Sequence, residues 1–225
     1  MARIRWKPSY RLVPSRFPPT GLFDRVARPE DLDVVIAAES LTNDRLRDEL
    51  GQIHLVPPAE RVTGPGTTPI MAAFTHLNPE GSRFSDGTYG VYYAAHEMAT
   101  AIAETAHHRA IFLGRTREAA GEVDMRTYLA DIISAELVDV RGHGRRNPDI
   151  MNPDDYKASQ VFARARRSEG AVGIVYDSVR REGGQCVAIF RPKLISPARQ
   201  GPHIAFVWDG RAVVGWYEKS AVKNL

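Results

Sequence analysis

Three side chains in one stretch offer this sequence its chemistry: Arg83, Tyr93 ten residues later, and Glu104 eleven beyond that. An arginine presents a planar fork of N–H donors that matches phosphate or carboxylate oxygens. A tyrosine brings an aromatic face and a hydroxyl. A glutamate brings a fixed negative charge, useful wherever positive charge develops at a reacting centre. Most helical glutamates are simply solvated, so position decides whether this one does more. From Ala95 the chain reads as an Ala-rich helix, in which Met98, Ile102, Thr105 and Phe112 recur at spacings that build one apolar stripe. At about 100° per residue, Glu104 falls at the margin of that stripe, where a carboxylate can face a cleft rather than core or open water.

The elements before this helix must position the other two groups. Asp86-Gly87 is a turn dipeptide, and Val91-Tyr92-Tyr93 has the β-branched and aromatic character of a strand. If Arg83 and Tyr93 lie on the two arms of a hairpin, a two-residue turn sets them on opposite faces. The expected connection is odd in length, which brings both to one face.

Other reactive types are less well placed. Glu104, His107 and His108 stand at i, i+3 and i+4, a spacing compatible with metal ligation, but the chain lacks the matching second half that paired Glu-x-x-His helices supply. The reading is therefore no metal, with both histidines as packing or polar groups. Ser178 sits in Tyr176-Asp177-Ser178-Val179-Arg180 rather than in a Gly-x-Ser-x-Gly elbow, so nothing marks it as an activated nucleophile. Cys186 is the single cysteine, lies in a strand-like run and has no basic neighbour; it packs rather than attacks. Neither GxGxxG nor GxxxxGK[ST] occurs, which removes support for a Rossmann or P-loop site.

The chain has 225 residues, 43% hydrophobic and 25% charged, ordinary values for a soluble globular chain long enough to bury a sizeable core. One cysteine excludes an internal disulfide framework and suits a reducing cytoplasm. No signal peptide or membrane-spanning run is visible, so the expected location is cytoplasmic. A net charge of +3 is a mild surplus. The Arg clusters at 141–146, 164–167 and 180–181 lack interleaved aromatics for stacking bases, and read as solvated faces or a contact for an acidic partner.

Along the chain, residues 1–28 read as an ordered arm whose Trp6, Tyr10, Phe17 and Phe23 seek burial. Helices are expected from Pro29 through Leu41 and from Asp44 to Leu50, and a strand over Met71–Thr75. Tyr128 to Val140 has an ambiguous period. Asp154 is placed as the cap of a helix ending at Gly170. Strands follow near 172–176, 185–190, 203–208 and 212–216, the last two joined by Asp209-Gly210. Helices first and strands later indicate an α+β fold, taken as a single domain over 1–225.

Taken together, Gly81-Ser82-Arg83-Phe84-Ser85, Gly87, Val91-Tyr92-Tyr93 and Ala94 through Glu104 resemble the RES-domain family of bacterial toxins, whose name records an Arg, a Glu and a Ser. Ser178 matches the third named residue, and Gly183-Gly184 with Val187-Ala188-Ile189-Phe190 follow it as in the family. The resemblance covers Phe74 to Phe190. The chain departs from the family in having Phe84-Ser85 where Trp-Asn is common, and Gln185-Cys186 where Asn is common. The resemblance implies an ADP-ribosyltransferase-like fold, with small twisted sheets flanking a cleft for NAD+. It also implies consumption of NAD+, with ADP-ribose handed to a protein, to water or to phosphate, and restraint by a cognate DNA-binding antitoxin of the Xre type.

The residues suit that chemistry. Nicotinamide is a good leaving group, and cleavage of its glycosidic bond builds oxocarbenium character on the ribose, as in glycoside hydrolysis. Glu104 would supply the opposing charge, Arg83 would hold the pyrophosphate, Tyr93 would stack on nicotinamide or pin the ribose, and Ser178 would donate to phosphate or amide. The leading expectation is a mono-ADP-ribosyltransferase toxin acting on a protein acceptor, and the alternative is an NAD+ glycohydrolase or phosphorylase. An RNA-binding or ribonuclease toxin, from a different class, rests on the pI of about 9.1 and the Arg clusters alone.

Overall fold

The computed structural model describes residues 1–15, 51–133, 135–142, 144 and 147–220. The expected helices within 29–50, and Phe17 and Phe23 of the arm, lie outside the described residues. The rest is an α+β fold built on one sheet of nine strands in the order β1-β5-β6-β7-β3-β2-β4-β8-β9, where the sequence suggests smaller separate sheets. The strands are β1 (Ala2–Ile4), β2 (Ser9–Pro14), β3 (Tyr92–Ala95), β4 (Gly121–Ala130), β5 (Ala135–Asp139), β6 (Gly173–Asp177), β7 (Gln185–Ile189), β8 (Arg199–Trp208) and β9 (Val213–Glu218). All neighbours pair antiparallel except β5 and β6, which run parallel.

Alternation along the central strands divides the core between the sheet's two faces. Tyr92, Val175, Val187 and Ile189 enter one cluster with Trp6, Ile70, Met71 and Phe74. Tyr93, Ile174, Tyr176, Cys186 and Ala188 enter the other, with Phe84, Ala101, Ile102 and Phe206. Trp6 is buried, as the arm's aromatic content requires. The second face is the one that matters chemically, because α2 (Met98–Arg115) packs there and carries Glu104.

Several local readings change. Met71–Thr75 is not a strand but the end of α1 (Thr68–Thr75), which opens with a proline in its first turn. A short apolar run has no distinguishing period, and Ile70, Met71, Ala73 and Phe74 bury equally well on a helix. Gly90 lets the chain pass beneath this helix: a Cβ there would lie 2.2 Å from the Cα of Phe74. The Arg83–Tyr93 hairpin does not form. Arg83 sits in a tight turn closed by Ser82 N donating to Ser85 O at 2.7 Å, while β3 pairs with β2 and β7. Asp86-Gly87 is a turn, with Gly87 at φ +92°, but it does not connect two paired strands, so the odd-length register expectation is corrected.

The stripe on α2 also differs. Thr100, Ala101, Ile102 and Leu113 are its buried residues, whereas Phe112 is 45% exposed beneath the stacked guanidinium of Arg109. Ala-rich helices have little side-chain contrast, so apolar spacing alone selects the wrong end residue. The ambiguous stretch resolves into the end of β4 and β5. The third helix, α3 (Lys157–Ser168), begins after Asp154: the Asn152 Oδ1 accepts from the N–H groups of Asp154 and Asp155, and Tyr156 occupies the cap position without a side-chain cap. No helix among the described residues is long and apolar enough to cross a membrane.

Candidate active site

Ser178 and Glu104, 74 positions apart, meet directly: the Ser178 hydroxyl donates to Glu104 Oε1 at 2.6 Å. The direction follows from the other contacts. Ser178 Oγ accepts the backbone N–H groups of Arg180 at 3.1 Å and Arg181 at 3.0 Å, which occupies its lone pairs and leaves its one proton for the carboxylate. The loop after β6 is locked in turn by Ser178 N donating to Gly184 O at 2.8 Å. Gly184 allows that loop to lie on α2, since a Cβ there would meet Thr100 Oγ1 at 2.6 Å. Arg181 ties the same two pieces together through Thr100 Oγ1 at 3.0 Å and Glu97 Oε2 at 2.7 Å. Glu104 thus lies half-buried at the edge of the helix face, held by a preorganised hydroxyl.

Tyr93 braces the turn that carries Arg83. Its hydroxyl shares a 2.8 Å hydrogen bond with Ser82 Oγ and accepts the Phe84 N–H at 2.9 Å, gripping both sides of Arg83. Burial raises the pKa of this phenol, partly offset by the Ser82 and Phe84 contacts, so it stays protonated. From the other side Gln160 Nε2 of α3 donates to Ser82 O at 3.0 Å. Arg83 is only 6% exposed; its Nη1 donates to Asn152 O at 2.7 Å, and its guanidinium lies 4.6 Å from the Tyr156 ring centre.

The four candidates form two contacting groups, Ser178 with Glu104 and Tyr93 with the turn that carries Arg83, and both groups act on the buried Tyr176 between them. Tyr176 is held well above the ordinary phenol value by burial first, then by Cys186, Glu104 and Tyr93, with Arg83 opposing. The Cys186 thiol is pushed up by burial and then by Glu104, which keeps it an inert packing group as its surroundings in sequence suggest. His107 is lowered below the ordinary imidazole value by burial and by Arg180 and Arg83, against Asp154 and Glu104. The His107 and His108 rings pack edge to face at 5.4 Å. Among the described residues no group of three or more His, Cys, Asp or Glu is gathered.

A cleft of about 230 Å³ opens beside this cluster, lined by Val140, Met151, Asp177, Ser178 and Val179. A larger one of about 450 Å³ lies among Phe74, Tyr89, Arg167 and Phe190, at the other end of β7, and none of the four candidates lines it. Chemistry favours the smaller cleft: Ser178, which lines it, holds the Glu104 carboxylate, whereas none of the four candidates lines the larger.

Sequence reasoning missed Asn152, Tyr156, Arg180 and Arg181. The Asn-Pro-Asp-Asp run at 152–155 was a turn signal, yet nothing in it showed that two arginines would seize its carbonyls: Arg83 at Asn152, and Arg180 at Pro153. Among the described residues of the basic clusters, arginines pair with acids or stack on a ring. Arg141 meets Asp139 at 2.6 Å, Arg166 meets Glu169 at 2.8 Å, Arg164 pairs with Asp86, and Arg167 stacks on Tyr89 at 4.5 Å.

Comparison with known proteins follows the same stretch of chain. The chain is 31% identical over 207 residues to the uncharacterized protein y4oC of Sinorhizobium fredii, covering 91% of this chain and 84% of that protein. Among solved structures it is similar to a chain in the crystal structure of the M. tuberculosis MbcT–MbcA toxin–antitoxin complex, with a TM-score of 0.47 at 13% identity, over 91% of this chain and 87% of that one. Residues 58–209 match the RES domain, a span that contains Arg83, Tyr93, Glu104 and Ser178. With the match extending over more than half its length, the chain belongs to the RES domain family.

Proposed function

We propose that this chain is the toxin of a toxin–antitoxin pair, cleaving NAD+ at the nicotinamide glycosidic bond and transferring ADP-ribose to a protein. The observation that carries the reading is the Ser178–Glu104 hydrogen bond of 2.6 Å, which fixes a carboxylate through the serine that lines the cleft. As the bond to nicotinamide stretches, positive charge grows on the ribose, and a carboxylate already aimed at it stabilises that charge without having to reorganise. Nicotinamide leaves as a neutral ring, so no acid is required to protonate it. Arg83, flanked by Ser82 and Phe84 whose backbone groups Gln160 and Tyr93 hold, keeps N–H groups to spare for a pyrophosphate oxygen. Ser178 orients Glu104 rather than donating to the substrate.

Membership of the RES domain family supports NAD+ as the substrate, and supports a cognate Xre-type antitoxin that silences the enzyme in its own cell. Among the described residues of the Arg clusters, Arg141, Arg164 and Arg166 pair with acids and Arg167 stacks on a ring, which weighs against the RNA-directed alternative. Incubation with NAD+ labelled in the adenylate half, with and without phosphate and cell extract, separates the acceptors. Label in a protein band supports transfer; free ADP-ribose or its 1″-phosphate redirects the reading to hydrolysis or phosphorolysis. Intact NAD+ in all arms overturns it.

A further inference from the structure

Arg83 poses an electrostatic problem. It is 6% exposed, yet among the described residues it forms no ion pair with a carboxylate. A cation taken out of water this far needs compensation. The structure provides it from one short segment: the Asn152 carbonyl takes Nη1 at 2.7 Å, and the Tyr156 ring lies under the guanidinium at 4.6 Å. The segment is itself braced by the Asn152 side chain, which caps Asp154 and Asp155, and by Arg180, which holds Pro153 O and lies 3.4 Å from Asp154.

We propose that Tyr156 is the positioning residue for Arg83, its ring fixing the plane of the guanidinium so that the N–H groups not given to Asn152 face an anionic ligand. A carboxylate partner would have neutralised the arginine and competed with the ligand. An aromatic face and a single carbonyl hold the cation while leaving its charge available. The ring, not the hydroxyl, makes the contact, so phenylalanine should serve as well. The backbone of Tyr156 is independently engaged: its carbonyl accepts Gln160 N at 2.8 Å and Ser159 Oγ at 2.9 Å, so a side-chain change leaves the start of α3 in place. That the ligand is the pyrophosphate of NAD+ rests on the function proposed above; the positioning itself does not.

Two measurements keep these claims apart. Nitrogen NMR of the arginine side chains in the full chain reads rotation of the Arg83 guanidinium directly, with no substrate present. Hindered rotation in wild type and Tyr156→Phe, and free averaging in Tyr156→Leu, supports the inference; unchanged rotation in folded Tyr156→Leu overturns it. Steady-state nicotinamide release then tests the consequence. Tyr156→Leu should raise KM for NAD+ about tenfold, the scale of one partly buried cation–π contact, with kcat much less affected and Tyr156→Phe close to wild type. Placed on an Arg83→Ala background, Tyr156→Leu should cause no further loss, because the group it positions is gone. Full additivity there would contradict the inference, whereas a wild-type protein that releases no nicotinamide would contradict only the NAD+ reading.

Discussion

Replacing Ser178 by alanine removes one oxygen that serves three partners. Glu104 loses a 2.6 Å charge-assisted donor, and the N–H groups of Arg180 and Arg181 lose their acceptor. A hydrogen bond to a charged group contributes about 1.5–3 kcal/mol. The two N–H groups lie at a half-buried loop that water can reach, so their loss adds little beyond this. The stability cost is therefore about 2–3 kcal/mol, or a fall in Tm of roughly 4–12 °C for a chain of this size. The catalytic cost is separate. A carboxylate released from its hydroxyl samples several rotamers, and the productive one carries a correspondingly smaller share of the time. A fall in kcat of roughly 10- to 100-fold follows, with KM for NAD+ little changed, because Ser178 gives its one proton to Glu104 and donates nothing to the substrate in this account. Nicotinamide release by purified Ser178→Ala and Ser178→Ala/Glu104→Gln proteins measures it. In the double variant the serine change should cost little further rate, since the charge it orients is absent. A folded Ser178→Ala protein with wild-type kcat would refute the reasoning, and so would a large increase in KM alone.

Gly184→Ala should lower Tm and turnover together, because its Cβ would press on Thr100 at 2.6 and 2.8 Å and lift the Ser178 loop off α2; adding Thr100→Ala should recover much of the stability. Thermal unfolding and nicotinamide release on the two variants check it. Asp139 is held below the ordinary carboxylate range, chiefly by its hydrogen bond from Arg141. A depressed folded pKa means stability present above the unfolded value of about 3.9 and lost as pH falls through the folded one. Asp139→Asn should thus be less stable than wild type by about 0.5–1 kcal/mol at pH 7, with the gap closing below pH ~4 in urea titrations. A gap that persists at low pH would show the effect is not electrostatic.

What could be read from the sequence divides along physical lines. Strands β6 to β9 and the placement of Glu104 at the margin of its helix came from periodicity, a property each segment carries within itself. The order and spacing of Arg83, Tyr93, Glu104 and Ser178 were legible along the chain, and the fold joins them in two groups, Ser178 to Glu104 and Tyr93 to the turn of Arg83. Their partners were not. Nothing along the chain announces that the Tyr93 hydroxyl is committed to the turn that carries Arg83. The segment at 152–156, read only as the approach to a helix capped by Asp154, carries no indication of what it faces. Such pairings are long-range choices made by topology. The mistaken strand at 71–75 is the opposite case, a short apolar run whose local pattern admits either state until burial decides.

Glu104→Gln tests the central claim most directly. The substitution keeps the size of the side chain and leaves an oxygen to accept from Ser178, removing only the charge. Nicotinamide release from NAD+ should fall about a hundredfold or more in kcat, the scale of losing one preorganised electrostatic group, with KM little changed and the folded structure retained. A folded Glu104→Gln protein that turns over NAD+ at the wild-type rate would contradict the account.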